Sequence, residues 1–245
     1  MTTRPRLYFS FRSPYSWLAV HRLREAVPDL FQVLDLVPYW SPEERTAREL
    51  ERRGGRIHYT EMSRAKRLYL LPDVKRLADR AGLPVVWPSD AGPRWDLPHL
   101  AWLLARRMGR PAEFYDALVE ARWGRGECVW DPGVVRRAAS CAGIDPDLVL
   151  AAPEDPEVWG EAVGCLYQAH LDSVFGVPYL KWGRHRFWGF DRLDVFLEIW
   201  PPAERGGPRA SAAGGIDYGD LCSDLPAELL DEGYAYDDDC AGGCG

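Results

Sequence analysis

A chain of 245 residues with 47% hydrophobic and 27% charged residues carries enough apolar side chain for a sizeable core. Its net charge of −7 is uneven: no Lys or Arg follows Arg209 while nine acids do, which leaves residues 1–209 at +2, with 30 basic residues against 28 acidic. There is no basic block interleaved with aromatics and no stretch nearing 18 apolar residues, so nucleic acid and the membrane are not expected as partners.

Leu7-Tyr8-Phe9-Ser10-Phe11 is short, aromatic and bounded by Pro5 and Ser13-Pro14, the pattern of a buried strand. Ser13 stands at a helix N-cap position and Pro14 suits the first helical turn. Trp17, Leu18, Val20, His21 and Leu23 continue at helical spacing. Gln32 to Val37, closed by Pro38, reads as a second strand, and so short a strand–helix–strand opening implies parallel strands joined by a right-handed crossover. From Ser41 to about Ser173 the signals are mostly helical. Segments are expected at Met62–Ala81, Leu97–Met108, Pro111–Trp123, Asp131–Ala142 and Pro156–Leu171. Strand character returns at Pro178–Trp182, turns at Gly183-Arg184 and comes back through His185–Trp188; a last helix then opens at Gly189-Phe190-Asp191 and ends at Pro201-Pro202. The order βαβ, helical block, ββα predicts an α/β, thioredoxin-like fold with a large α-helical insertion between its halves. Residues 1–40 and 174–200 would form the thioredoxin-like part and 41–173 the insertion. Residues 201–245 would be a linker and an acidic, Cys-containing tail without fixed structure.

Three segments carry candidate chemistry. The first strand delivers Ser13 to a helix N-terminus, where free backbone N–H groups and the helix dipole stabilise an anion. A cysteine there is activated as its own thiolate; a serine can instead donate a hydrogen bond to a thiolate held by a ligand. Read alone, Ser13 is an ordinary N-cap. In Phe175-Gly176-Val177-Pro178-Tyr179, a cis Pro178 would free the backbone of Val177 to pair with an extended ligand, while a trans Pro178 would simply start an edge strand. Asp191, in Trp188-Gly189-Phe190-Asp191-Arg192, is either a helix cap or an acceptor for a ligand's amino group.

The order and spacing of these segments resemble a known family. Phe9-Ser10-Phe11-Arg12-Ser13-Pro14-Tyr15-Ser16-Trp17-Leu18-Ala19 is similar to the opening of the 2-hydroxychromene-2-carboxylate isomerases and kappa-class glutathione transferases of the DsbA-like thioredoxin superfamily. Val174 to Pro178, followed by Phe187 to Leu193, is similar to their second signature, and Lys66, Tyr69, Asp73 and Arg76 match a pattern in the first inserted helix. The resemblance spans roughly residues 6–200 and implies a thiol-dependent cis–trans isomerase acting on a conjugated, aromatic or polyene-type small molecule. It implies Ser13 as the group that holds the thiolate of glutathione or another low-molecular-weight thiol such as mycothiol. Val177 and Pro178 would clamp the cysteinyl part, and Trp188, Gly189, Phe190 and Asp191 the γ-glutamyl end. In that family the bound thiolate adds reversibly to an enone, whose former double bond rotates before elimination. An oxyanion on the substrate would need cationic or donor partners, for which Lys66 and Arg67 are candidates, and Trp40 and Trp95 are candidate pocket walls. The resemblance also implies a homodimer.

The chain departs from the family where its isomerases carry an asparagine: the segment after the second strand here reads Tyr39-Trp40-Ser41-Pro42-Glu43-Glu44. That departure favours a non-catalytic binding or accessory protein as an alternative, and a thiol transferase, which would consume the thiol in its product, is a third reading. A disulfide oxidoreductase needs a Cys-x-x-Cys pair where Ser13 and Ser16 stand, so only Cys240 and Cys244 could serve one. No secretory h-region follows Arg4 and Arg6, so a cytoplasmic protein with free thiols is expected. His21, His58, His99, His170 and His185 form no spaced ligand set and no metal is expected; His99, after Pro98 in the aromatic stretch from Trp87 to His99, is the one singled out.

Overall fold

The computed structural model describes residues 4–90 and 94–201. The expected linker and acidic tail, Cys240 and Cys244 included, lie outside the described residues apart from Pro201.

The chain opens with β1 (Arg6–Phe9), α1 (Pro14–Ala26), a single helical turn α2 (Leu30–Val33) and β2 (Asp35–Pro38). Leu7 pairs with Leu36 in the parallel β1/β2 ladder. The expected strand at Gln32–Val37 therefore begins three residues late. Its first residues are coiled, with Gln32 and Leu34 N–H donating to the Asp29 and Leu30 carbonyls. β1 is only four residues long, so only Asp35–Pro38 has a partner to pair with.

Helices follow at α3 (Glu44–Arg52), α4 (Arg64–Arg80), α5 (Asp96–Arg107), α6 (Pro111–Val119), α7 (Pro132–Cys141), α8 (Pro146–Leu150) and α9 (Pro156–Leu171). The expected helix to Trp123 ends its α-helical part at Val119 and closes through a π-type turn, Glu120–Gly124, that buries Arg122 and Trp123. Asp131 and Asp155 cap α7 and α9 by accepting two backbone N–H groups each, and a proline follows each at the first helical position.

The chain then forms β3 (Tyr179–Trp182), β4 (His185–Trp188), a 3-10 turn Phe190–Arg192 and α10 (Leu193–Ile199). The sheet order is β2-β1-β3-β4, with β1/β3 and β3/β4 antiparallel. This is the thioredoxin-like sheet with a helical insertion that the element order predicts.

One buried core joins the sheet to the inserted helices. Phe9 packs edge-on against Trp102 of α5 at 5.0 Å and Tyr115 of α6 at 5.7 Å. Arg106 fastens α5 to the sheet by donating to the Leu36 carbonyl at 2.8 Å, and ion pairs of Arg106 and Arg107 with Glu161 fasten α5 to α9. A second cluster, Trp17, Leu18, Val74, Ala78 and Trp123, seats α4 on α1.

Below the sheet ladder, Asp172 follows α9 and is buried. Its carboxylate accepts hydrogen bonds from Tyr8 on β1 and Lys181 on β3, and one from Arg6 at 3.1 Å. This carboxylate ties the segment entering Val174–Pro178 to two strands.

Candidate active site

β1 runs into a turn, Ser10–Ser13, that points the chain into α1. The Ser13 N–H donates to the Ser10 carbonyl at 3.1 Å, and Ser13 adopts an extended conformation, φ −88 and ψ 117, as an N-cap must. Its Oγ accepts the Ser16 N–H at 3.1 Å and donates to the Val177 carbonyl at 3.3 Å. The Val177–Pro178 peptide is cis. Ser13 and Val177, 164 positions apart, thus meet directly.

The third segment closes on the second. The Gly189 N–H donates to the Pro178 carbonyl at 3.0 Å. Gly189 has φ 103, a left-handed conformation that glycine adopts without a Cβ penalty. A Cβ on Gly176 would lie 2.7 Å from the Trp188 indole nitrogen, so glycine there lets the ring lie against the Val177 approach. Trp188 also meets the Phe175 ring edge-on at 4.6 Å. Phe190 is half-buried and packs on the Trp17–Trp123 cluster, whereas Asp191 is exposed and pairs with Arg192 at 2.9 Å.

From the insertion, α4 brings Lys66 to the same place, its Nζ 5.5 Å from the Trp188 ring centre. Arg67 is exposed on α4 and makes no such contact among the described residues. α4 is held to the Ser13 turn by a bond that sequence reading missed: the Tyr15 hydroxyl, inside the Ser-Pro-Tyr-Ser motif, donates to Asp73 at 2.6 Å. Burial and the adjacent carboxylate raise the Tyr15 pKa, so the phenol stays protonated and remains the donor.

Trp40 and Trp95 are each 3% exposed and have packing roles. The Trp40 N–H donates to Asp96 at 2.7 Å, and its ring stacks on His99 at 4.7 Å and 6°. Asp96 also accepts from the Glu43 N–H and the Thr46 hydroxyl. Trp95 lies beside Arg122, a buried guanidinium among Trp95, Trp123 and Trp130 that forms a two-pronged ion pair with Asp90 at 3.0 and 2.8 Å. The sequence signal for the Asp96–His99 pair is their spacing of three on the first turn of a helix, which puts both on one face.

His99 is fully buried. Its Nε2 accepts the Phe11 N–H at 3.3 Å and its Nδ1 lies 2.7 Å from the Trp95 carbonyl. A ring that accepts at one nitrogen and faces a carbonyl at the other is neutral with the proton on Nδ1. Burial drives its pKa down to about 3, helped by the positive charge of Arg122. Unfolded, the imidazole takes up a proton near pH 6.5. Stability is therefore full above that pH and falls between about pH 6.5 and pH 3, by up to about 1.4 kcal/mol per pH unit. Urea unfolding as a function of pH checks this: His99→Gln should flatten the slope over that window, and an unchanged slope would assign it to other groups.

Two cavities, of about 490 and 270 Å³, lie elsewhere. One is lined by Arg4, Arg6, Phe31, Trp102 and Arg106, the other by Trp17, Arg24, Tyr115 and Asp116. Cys128, Cys141 and Cys165 are free, and no group of three metal-ligating side chains occurs among the described residues. No helix among them is long and apolar enough to cross a membrane.

A thioredoxin-type sheet with an inserted helical block, a helix-start motif beneath strand β1 and a cis-proline segment facing it define the DsbA-like class. The family model for the DSBA-like thioredoxin domain matches residues 6–199, and the chain belongs to that family. Within it, a 2-hydroxychromene-2-carboxylate isomerase from Sphingobium xenophagum is 30% identical over 202 residues, 82% of this chain and 98% of that protein. A solved 2-hydroxychromene-2-carboxylate isomerase superposes with a TM-score of 0.63 at 22% identity, covering 79% of this chain and 92% of the other. A probable DsbA oxidoreductase from Streptomyces coelicolor gives 0.60 at 17% identity, covering 86% and 94%.

Proposed function

We propose that the protein is a thiol-dependent cis–trans isomerase of a conjugated small molecule, using glutathione or a related thiol such as mycothiol. The observation that carries this reading is the meeting of the Ser13 hydroxyl, at the N-terminus of α1, with the Val177 carbonyl beside Pro178, in a motif that has serines at both usual cysteine positions. When bound, the thiol supplies a nucleophile that adds reversibly to the conjugated system, so that a double bond can rotate and re-form.

The residues present fit such a thiol. The Ser13 hydroxyl, whose one proton here goes to the Val177 carbonyl, would turn to donate to its sulfur, and the N-terminus of α1 would favour the ionised form. The backbone of Val177, next to Pro178, pairs with an extended peptide. Trp188, Gly189 and Phe190 would hold the γ-glutamyl end, and exposed Asp191 would receive its amino group. Lys66, against Trp188, would serve a substrate oxyanion, with exposed Arg67 of the same helix as a second candidate cation. The buried rings of Trp40 and Trp95 pack behind the loops and take no part in that role. A reduced thiol pool is a cytosolic resource, so we place the protein in the cytoplasm. The exposed apolar residues Leu68, Tyr69 and Leu71 of α4 support assembly as a homodimer.

The test is titration of the protein with glutathione and, separately, mycothiol, following thiolate absorbance in the ultraviolet and binding heat. One of the two should bind and ionise at neutral pH. Failure of both to bind would sink the reading in favour of a non-catalytic binding protein. Consumption of the thiol into product would make it a transferase.

A further inference from the structure

His99 does not touch the cleft, yet it is the inserted helix's only ring in contact with the backbone of the catalytic turn among the hydrogen bonds described. Its Nε2 takes the Phe11 N–H and lies 3.4 Å from Ser10 Oγ. Ser10 Oγ in turn accepts the Arg12 N–H at 3.2 Å, and the Ser10 N–H donates to Ser16 Oγ at 3.3 Å. Three consecutive backbone amides before Ser13 are thus held by side chains. Each would be an unsatisfied buried or half-buried donor without them.

The other side of the ring is fixed as firmly. The Nδ1–H is spent on the Trp95 carbonyl, one turn back in the chain, and one face lies flat on Trp40. Trp40 is itself pinned by Asp96, which also holds the Glu43 N–H and the Thr46 hydroxyl. Two residues on the first turn of α5 therefore grip both loops at the end of the sheet, the one after β1 and the one after β2. A ring clamped on two sides transmits its position to whatever it bonds with.

We propose that His99 is a positioning residue that sets the Ser10–Ser13 turn, and through it the distance of Ser13 Oγ from the Val177 backbone. The helical insertion, which in sequence carries no part of the Ser13 motif, thereby controls the geometry of the site. The proposal rests on the reading of Ser13 as the thiolate donor. Its functional arm tests that dependence, and a second arm does not depend on it.

The variants are His99→Phe, which keeps an aromatic ring without the acceptor, and His99→Gln, whose Oε1 can replace Nε2. In the full-length protein, His99→Phe should accelerate amide hydrogen exchange at Phe11 and Arg12 about tenfold or more, with β3 and β4 amides unchanged. Absorbance of bound glutathione thiolate at neutral pH should fall about tenfold, as a displaced donor requires. His99→Gln should recover most of both losses. The double variant S13A/H99F should bind thiolate no worse than S13A alone, because a residue acting only through Ser13 has nothing left to act on.

A folded His99→Phe protein with wild-type exchange and wild-type thiolate absorbance overturns the proposal, as does additive loss in the double variant. Where wild type itself shows no thiolate, the Ser13 reading fails and the exchange arm alone decides the role of His99. Should His99→Phe fail to fold, Ser10→Ala replaces it. That variant should lower thiolate absorbance about threefold to tenfold, the range of one hydrogen bond, and no change would count against the proposal.

Discussion

Replacing Ser13 with alanine should reduce thiol-dependent isomerisation by about 10²–10³-fold, the cost of deleting one preorganised donor to a developing or held anion. The fold should survive. The Ser13 Oγ also caps α1 by accepting the Ser16 N–H at 3.1 Å, and loss of such a cap costs about 1 kcal/mol. The two effects separate cleanly: thermal unfolding reads the cap, and turnover with saturating thiol reads the donor. Thr at position 13 keeps the hydroxyl and should retain more activity than Ala. An Ala variant with full turnover would remove Ser13 from the chemistry and leave it a helix cap.

The largest effect on stability is expected at Asp172, at the base of the segment that carries Val177. Burial by itself would raise its pKa, but the bonds from Lys181, Tyr8 and Arg6 outweigh burial and hold the carboxylate below its usual range. Asp172→Ala leaves the Tyr8 hydroxyl buried without an acceptor and Lys181 without its counter-charge, while Arg6 keeps Asp35 at 3.5 Å. The loss should be about 3 kcal/mol, which for a chain of this size lowers the melting temperature by roughly 6–12 °C. The pH sign follows from the depressed pKa. The stability that Asp172 contributes is fully present above about pH 4 and is lost as pH falls through the folded pKa, so wild type and variant should converge in acid. Asp172→Asn, which can still accept from Tyr8, should cost less than Ala. Guanidinium unfolding at pH 7 and pH 3 measures both differences, and a change under about 0.5 kcal/mol for Ala at pH 7 would contradict the assigned role.

The site unites two kinds of part. Ser13, Val177, Pro178 and Gly189 are joined through short backbone and hydroxyl contacts, and their geometry is set by local conformation: an N-cap, a cis peptide and a left-handed glycine. The Tyr15–Asp73 bond joins the insertion to α1, and Lys66 reaches from the insertion to Trp188 on β4. A probable DsbA oxidoreductase from Streptomyces coelicolor shares the scaffold, and the motif here, Ser13-Pro14-Tyr15-Ser16, holds no thiol. The same helix terminus that would stabilise a protein cysteine is available to a ligand's sulfur instead.

The sequence by itself determined the order of the two sheet halves and the helical block, and five helices of that block, because hydrophobic periodicity, proline and capping residues are local signals; α2, α3 and α8 were not read from it. The span Pro156–Leu171 is found as expected, since Asp155 caps it and Pro156 opens it. The three candidate segments were legible as a strand end and two element starts, but their own residues left Pro178 open between cis and trans, and the structure has it cis. Only the tertiary structure decided the rest. Gln32 and Val33 look like strand residues, yet they coil because the four-residue β1 offers them no partner. Trp40 and Trp95 look like pocket aromatics, yet Asp96, His99 and Arg122 draw them into the core, and no local pattern encodes contacts made across 27 to 59 positions. His99 shows the difference most plainly. As a letter in the chain it is one histidine among five, and only the packing of α5 against the turn after β1 places its Nε2 on the Phe11 amide.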